Sequence, residues 1–128
     1  MGCPMAENLM KAGKSIKVFD VSKKMLDIAK DKKLETVSNL DDLITADVDT
    51  VISMLPEGKH SKEVYLGEKG IISKVSKDCL LIDCSTIDIQ TSIEIGNKAL
   101  EKEILMIDAP VSGGVMGCLL YTSDAADE

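Results

Sequence analysis

Four short stretches of this 128-residue chain hold residue types from which a ligand site can be built. "SIKVFD" ends on Asp20, and "MLPEGKH" carries Leu55, Pro56 and the only histidine, His60. "DCSTID" carries Thr86, and "DAPVSGG" carries Ser112, Gly113 and Gly114. A carboxylate at the end of a strand can accept hydrogen bonds from the hydroxyls of an adenosine ribose. The same charge repels a 2′-phosphate, so Asp20 favours NAD over NADP. Leu55 and Pro56 form a stiff turn where a cofactor would lie, and Thr86 offers a hydroxyl. Adjacent glycines let backbone N–H groups approach an anion closely, and Ser112 adds a donor, an arrangement that suits a carboxylate substrate. Each stretch also has a plainer reading. Asp20 ends a strand ahead of a helix, and His60 is solvated at a helix start. Ser85 or Thr86 caps the helix that begins near Asp88, and the glycine pair sits in an ordinary loop.

The elements that would position these residues alternate along the chain. Residues 3–12 read as a helix, with Pro4 in its first turn, an apolar stripe of Ala6, Leu9 and Met10, and Gly13 as its stop. "SIKVFD" is a short strand, and Ser22 caps a helix through "KKMLDIAKDKK" that gathers Met25, Leu26 and Ala29 on one face. "LETV" is a weak strand, and Ser38 is placed to cap a short helix through "NLDDLIT". "DTVISML" is apolar and β-branched, as a buried parallel strand should be, and Pro56 ends it. "GKHSKEVYLG" gives a helical turn or two, and "CLLIDCS" is a second buried strand. "DIQTSIEIGNKALEKE" is a helix in which Ile93, Ile95 and Leu100 recur, and "ILMID" is a strand that delivers the chain to "APVSGG". This alternation predicts an α/β fold: a doubly wound parallel sheet, helices on both faces, and ligands at the carboxyl ends of the strands.

Composition narrows the function. The length suits one domain. With 45% hydrophobic but only 2% aromatic residues, the core must be aliphatic. A net charge of −7 argues against a nucleic-acid partner, which calls for clustered Lys and Arg. No apolar run approaches a membrane span, so no membrane partner is expected. The opening residues read as a Gly/Pro turn and a helix, not as a secretory signal. Cys3, Cys79, Cys84 and Cys118 match neither a zinc site nor a redox pair, and are expected as reduced thiols with no metal.

Taken jointly, "MGCPMAENLMKAG", "VFD", "MLP", "LLIDCSTID" and "DAPVSGG", in this order and spacing, resemble the β-hydroxyacid dehydrogenase family over residues 1–117. The resemblance implies action on 3-hydroxyisobutyrate in valine breakdown, with tartronate and succinic semialdehyde reductases as alternatives in the same chemistry and a non-catalytic binding homologue as a different class. The resemblance implies a Rossmann-type NAD-binding domain followed by an all-helical domain. Met1 and Gly2 match the last two positions of the family's GxGxxG loop, so the fold's first strand would precede this chain. The expected consequence is a gap between "SIKVFD" and "DTVISML", low stability and little NAD binding by the chain alone.

The resemblance also assigns roles. Met1, Gly2, Asp20, Leu55, Pro56, His60 and Thr86 would contact NAD, with Asp20 at the ribose and Thr86 near the nicotinamide. Ser112, Gly113 and Gly114 would hold the carboxylate of a small β-hydroxyacid. By the resemblance, His60 stands where relatives usually have an asparagine that contacts NAD. The family's general acid/base lysine lies on the all-helical domain and matches no lysine of this chain. The whole enzyme would be a homo-oligomer, in the mitochondrial matrix of a eukaryote or the cytoplasm of a bacterium. Residues 118–128, "CLLYTSDAADE", break the family pattern and resemble the translation of a transposase adapter used in sequencing libraries. They are expected to be a non-native tail.

Overall fold

The computed structural model describes residues 2–111. Met1, Ser112, Gly113, Gly114 and the "CLLYTSDAADE" tail lie outside the described residues. The element order is α1 (Gly2–Lys11), β1 (Lys17–Val18), α2 (Lys23–Asp31), β2 (Glu35–Thr36), α3 (Leu40–Leu43) and β3 (Thr50–Ser53). There follow α4 (Gly58–Leu66), α5 (Ile71–Lys74), β4 (Leu80–Asp83), α6 (Ile89–Glu101) and β5 (Leu105–Asp108). Every strand pair among the described residues is parallel, and apart from α5 the alternation of strand and helix is the one the sequence predicts.

These elements form two compact units that divide after Thr36. In the first, β1 pairs with β2 in the register Lys17↔Glu35. Ser22 caps α2 as expected, its Oγ accepting from the Met25 N–H at 3.4 Å. Glu7 on α1 pairs with Lys11 at 3.3 Å and with Lys32 at 3.1 Å. The hydrogen bond from Lys32, then that from Lys11, holds the Glu7 carboxyl below its ordinary range. Ala29 and Leu34 are buried.

The second unit has the three-stranded order β3-β4-β5, with Thr50, Leu80 and Leu105 in one row and Ser53, Asp83 and Asp108 in another. Its core is Val51, Tyr65, Ile71, Ile72, Cys79, Leu81, Ile95, Ala99 and Ile104. α4 and α6 approach closely at Gly58, where a Cβ would stand 2.6 Å from Asp88 Oδ1.

α1, α2 and α6 end in one motif. The Lys14 N–H bonds Leu9 O at 3.1 Å, that of Leu34 bonds Ala29 O at 3.0 Å, and that of Ile104 bonds Ala99 O at 2.9 Å. Each closure needs a left-handed residue one place earlier. Gly13 supplies it in α1, at φ 87°, whereas Lys33 (65°) and Glu103 (59°) do so with side chains.

The structure corrects several expectations. Asn39, not Ser38, caps α3, accepting from the Asp42 N–H at 2.8 Å. Asp88, not Ser85 or Thr86, caps α6, accepting from the Thr91 N–H at 2.9 Å. In both cases the residue next to the first turn wins, because its side chain reaches back to the third amide. α6 buries Ile95 and Ala99, one turn apart, and leaves Ile93 and Leu100 exposed, since those two fall off that face. α5 is a further element that its four residues were too short to signal by periodicity. β3 and β4 alternate in burial instead of being buried throughout. Val51, Ser53, Leu81 and Asp83 face the core, while Ile52, Leu105 and Ile107 are exposed.

Candidate functional site

The site is built where two strands that read as apolar end in polar residues. Ser53 closes β3 and Asp83 closes β4, and they are register partners. Both face the core, and Asp83 is only 1% exposed. A carboxylate buried this deeply must have donors around it. The Ser53 hydroxyl donates to Asp83 Oδ1 at 2.9 Å, and the Ser85 N–H donates to the same oxygen at 3.0 Å. Ser53 Oγ also bonds the Tyr65 hydroxyl. Ser53 has a single proton and gives it to Asp83, so Tyr65 is the donor in that pair. The hydrogen bonds therefore run from Tyr65 through Ser53 and stop at Asp83.

Tyr65 comes from α4 and is fully buried. Burial pushes its phenol well above the usual value; the bond with Ser53 works against this, and the nearby Asp83 charge adds to it. The phenol stays protonated and remains a donor. Burial likewise raises the Cys79 and Cys84 thiols, the latter helped by Asp83 and then Asp108, so neither is primed as a nucleophile. Cys3, Cys79 and Cys84 are free thiols.

From this base the two carboxyl-edge turns are joined. The Cys84 N–H bonds Ser53 O at 2.8 Å, extending the ladder one rung. The Leu55 N–H then donates to Ser85 Oγ at 2.7 Å. So "MLP" and "CST" meet through Leu55 and Ser85. Leu55 is half-buried, whereas Pro56 and Thr86 are exposed. His60 lies in the first turn of α4, where its N–H bonds Glu57 O at 3.1 Å. It is not the solvated residue its position suggests: its Nδ1 is buried and without a hydrogen-bond partner. Ser61 Oγ and Asp83 Oδ2 are also buried and unpartnered.

In the first unit, Gly2 opens α1 and is exposed. Asp20 is half-buried beyond the end of β1, and its Oδ1 accepts from the Ser22 N–H at 2.8 Å. The plain reading thus holds in part, since Asp20 shapes the turn before α2. Among the described residues, no cluster of His, Cys, Asp and Glu is placed to hold a metal ion. Nor is any described helix long and apolar enough to cross a membrane.

Sequence reasoning missed Ser53, Tyr65 and Asp83. The available signal was a polar residue at an inward, period-two position of each apolar strand.

Residues 1–121 match the family described as the NAD binding domain of 6-phosphogluconate dehydrogenase. The chain belongs to this family. As an NAD-binding-domain family member, it is 44% identical over 118 residues to 3-hydroxyisobutyrate dehydrogenase of Pseudomonas aeruginosa, covering 91% of the chain and 39% of that relative. It is 42% identical over 117 residues to the mitochondrial 3-hydroxyisobutyrate dehydrogenase of Mus musculus, covering 90% of the chain and 34% of that relative. Among solved structures, Mycobacterium tuberculosis 3-hydroxyisobutyrate dehydrogenase with L-serine superposes with a TM-score of 0.83 at 32% identity, over 91% of this chain and 39% of that one. The chain thus spans about two fifths of the length of these proteins or less. The likeness to β-hydroxyacid dehydrogenases first seen in five motifs extends over nine tenths of the sequence.

Proposed function

We propose that this chain is the NAD-binding part of a 3-hydroxyisobutyrate dehydrogenase, which oxidises its substrate to methylmalonate semialdehyde in valine breakdown. The observation that carries the reading is the joining of the "MLP" and "CST" turns at the carboxyl edge of β3 and β4. Dinucleotides lie across that edge in doubly wound folds. Exposed Pro56 and Thr86 face outward from a buried support, which fits a flat ligand resting against them. NAD, when bound, would accept the hydride.

The residues of this chain would bind and orient. Met1 and Gly2 would lie at the pyrophosphate end. Asp20 would accept from the ribose hydroxyls and repel a 2′-phosphate. Leu55 and Pro56, with His60 nearby, would flank the dinucleotide, and Thr86 would sit toward the nicotinamide. Ser112, Gly113 and Gly114 would grip the substrate carboxylate. The proton of the substrate hydroxyl would pass to a lysine outside this chain. We propose that the whole protein is a homo-oligomer, and that it works in the mitochondrial matrix or the bacterial cytoplasm according to its source; a mitochondrial and a bacterial relative support the second point.

A second reading within the same chemistry is oxidation of L-serine, favoured by the L-serine in the related Mycobacterium tuberculosis structure. Steady-state NADH formation by the whole protein with each acid separates them. The first reading expects kcat/KM to be at least about tenfold higher for 3-hydroxyisobutyrate, because a pocket fitted to its methyl leaves the ammonium of L-serine unpaired. A preference for L-serine overturns it. Asp20→Asn keeps an acceptor for the Ser22 N–H and removes the charge. It should lower the NAD-over-NADP preference by about tenfold, as loss of a like-charge clash with a 2′-phosphate requires. An unchanged preference removes Asp20 from the cofactor site.

A further inference from the structure

We propose that Ser85 is a positioning residue: its buried hydroxyl fixes the Leu55 peptide and, through it, the turn against which the dinucleotide rests. The inference builds on the NAD-binding reading of that turn. The β3–β4 ladder gives out one rung past the strands, where the Cys84 N–H meets Ser53 O at 2.8 Å. Beyond it the tie between the two segments passes from backbone to side chain, as Leu55 N–H to Ser85 Oγ at 2.7 Å. Pro56 follows and has no N–H, so Leu55 supplies the last backbone donor before Glu57.

Ser85 is itself held. It is 1% exposed, and its own N–H is bonded to Asp83 Oδ1 at 3.0 Å. That oxygen is fixed in turn by Ser53, whose hydroxyl Tyr65 engages from α4. A turn anchored at one amide to a rigid buried base is preorganised, and a ligand that packs on it does not have to order it first. Thr86, the next residue, stays exposed and available to a ligand. Ser85 therefore acts on cofactor affinity without touching the reacting atoms.

The test uses the whole protein with Ser85→Ala and Ser85→Cys. The second keeps nearly the same volume but is a weak acceptor. Ser85→Thr retains the hydroxyl. NAD affinity is read by calorimetric titration, Leu55 amide exchange by NMR, and kcat at saturating NAD. Both Ser85→Ala, which removes the acceptor, and Ser85→Cys, which weakens it, should raise the Kd for NAD about tenfold and speed Leu55 exchange at least about tenfold, the scale of one buried hydrogen bond. kcat should stay within about twofold, and Ser85→Thr should restore tight binding.

A merely structural role would instead speed exchange throughout β3 and β4 and leave Kd unchanged in molecules that remain folded. That result overturns the inference, as does a fall in kcat with Kd unaltered. If Ser85→Ala does not fold, Ser85→Cys decides. Failure of the unmutated protein to bind NAD overturns the nucleotide reading, whereas equal binding by the unmutated and Ser85→Cys proteins overturns the positioning inference alone.

Discussion

Asp20 lies just past the end of β1 and Asp83 closes β4, one at the carboxyl end of a parallel strand in each compact unit, and their surroundings could hardly differ more. Asp20 is half-buried and accepts one backbone N–H, from Ser22 two residues on. Asp83 is buried and accepts from Ser53, thirty residues away in sequence, and from the Ser85 N–H. The first carboxylate organises its own turn and keeps a face toward solvent, where a ligand's hydroxyls can reach it. The second spends its charge inside, tying two strands and a helix together. A strand-end acid is therefore left open to solvent or committed to the core according to how many buried donors its neighbours supply. Strand position alone does not decide it.

The largest effect should come from Asp83→Ala. It strands the Ser53 hydroxyl and the Ser85 N–H, two buried donors, at a cost of about 3 kcal/mol. Denaturant unfolding checks this, and a loss no greater than that of Asp20→Ala erases the contrast.

Tyr65→Phe should cost about 1.5 kcal/mol at neutral pH by removing one buried bond. It should also change the alkaline limb. The phenol titrates above its ordinary 10.0 in the fold, chiefly through burial, so the unfolded chain releases that proton first. Stability is then complete below that ordinary value and falls as pH climbs from it toward the raised one. The variant should keep the decline due to the raised Cys79 and Cys84 thiols, which begins near their ordinary 9.0, and that due to Lys32, which the hydrogen bond with Glu7 raises above its ordinary 10.5. Melting temperature against pH for the two proteins separates these contributions.

Asp20→Ala removes one half-exposed bond and should cost about 1 kcal/mol or less. A larger loss would place Asp20 with Asp83 as a structural acid. The smallest effects should be gains, one in each unit. Lys33→Gly and Glu103→Gly relieve side chains from left-handed positions and should each add about 0.5 kcal/mol, less than the local relief because glycine also loosens the unfolded chain. Unequal gains would show that one unit tolerates its helix terminus better than the other.

Much of the first unit was legible because its signals are local. Ser22 sits next to the helix it caps, and Gly13 next to the one it stops. The parallel α/β alternation follows from short-range patterns of the same kind, although β1 stops at Val18 and β3 at Ser53, short of the ends that Asp20 and Pro56 suggest. The apolar stripe of α6 was misread because its isoleucines draw the eye more than Ala99, whose small side chain marks the buried face. The network under the candidate site was hidden for a different reason. Tyr65, Ser53 and Asp83 are polar groups among apolar neighbours, and only the fold brings them together. A single sequence shows that such residues need partners but does not say which.

The one-way run of hydrogen bonds from Tyr65 to Asp83 also limits how this sequence can change over generations. Ser53 is donor to one neighbour and acceptor to the other, so altering it alone strands both. A path to an all-apolar version of this base passes through intermediates worse than either end, because exchanging every partner at once can be nearly neutral where exchanging one is not. Tyr65, Ser53 and Asp83 should therefore drift as a block, and chains that have lost one of the three should have replaced the other two.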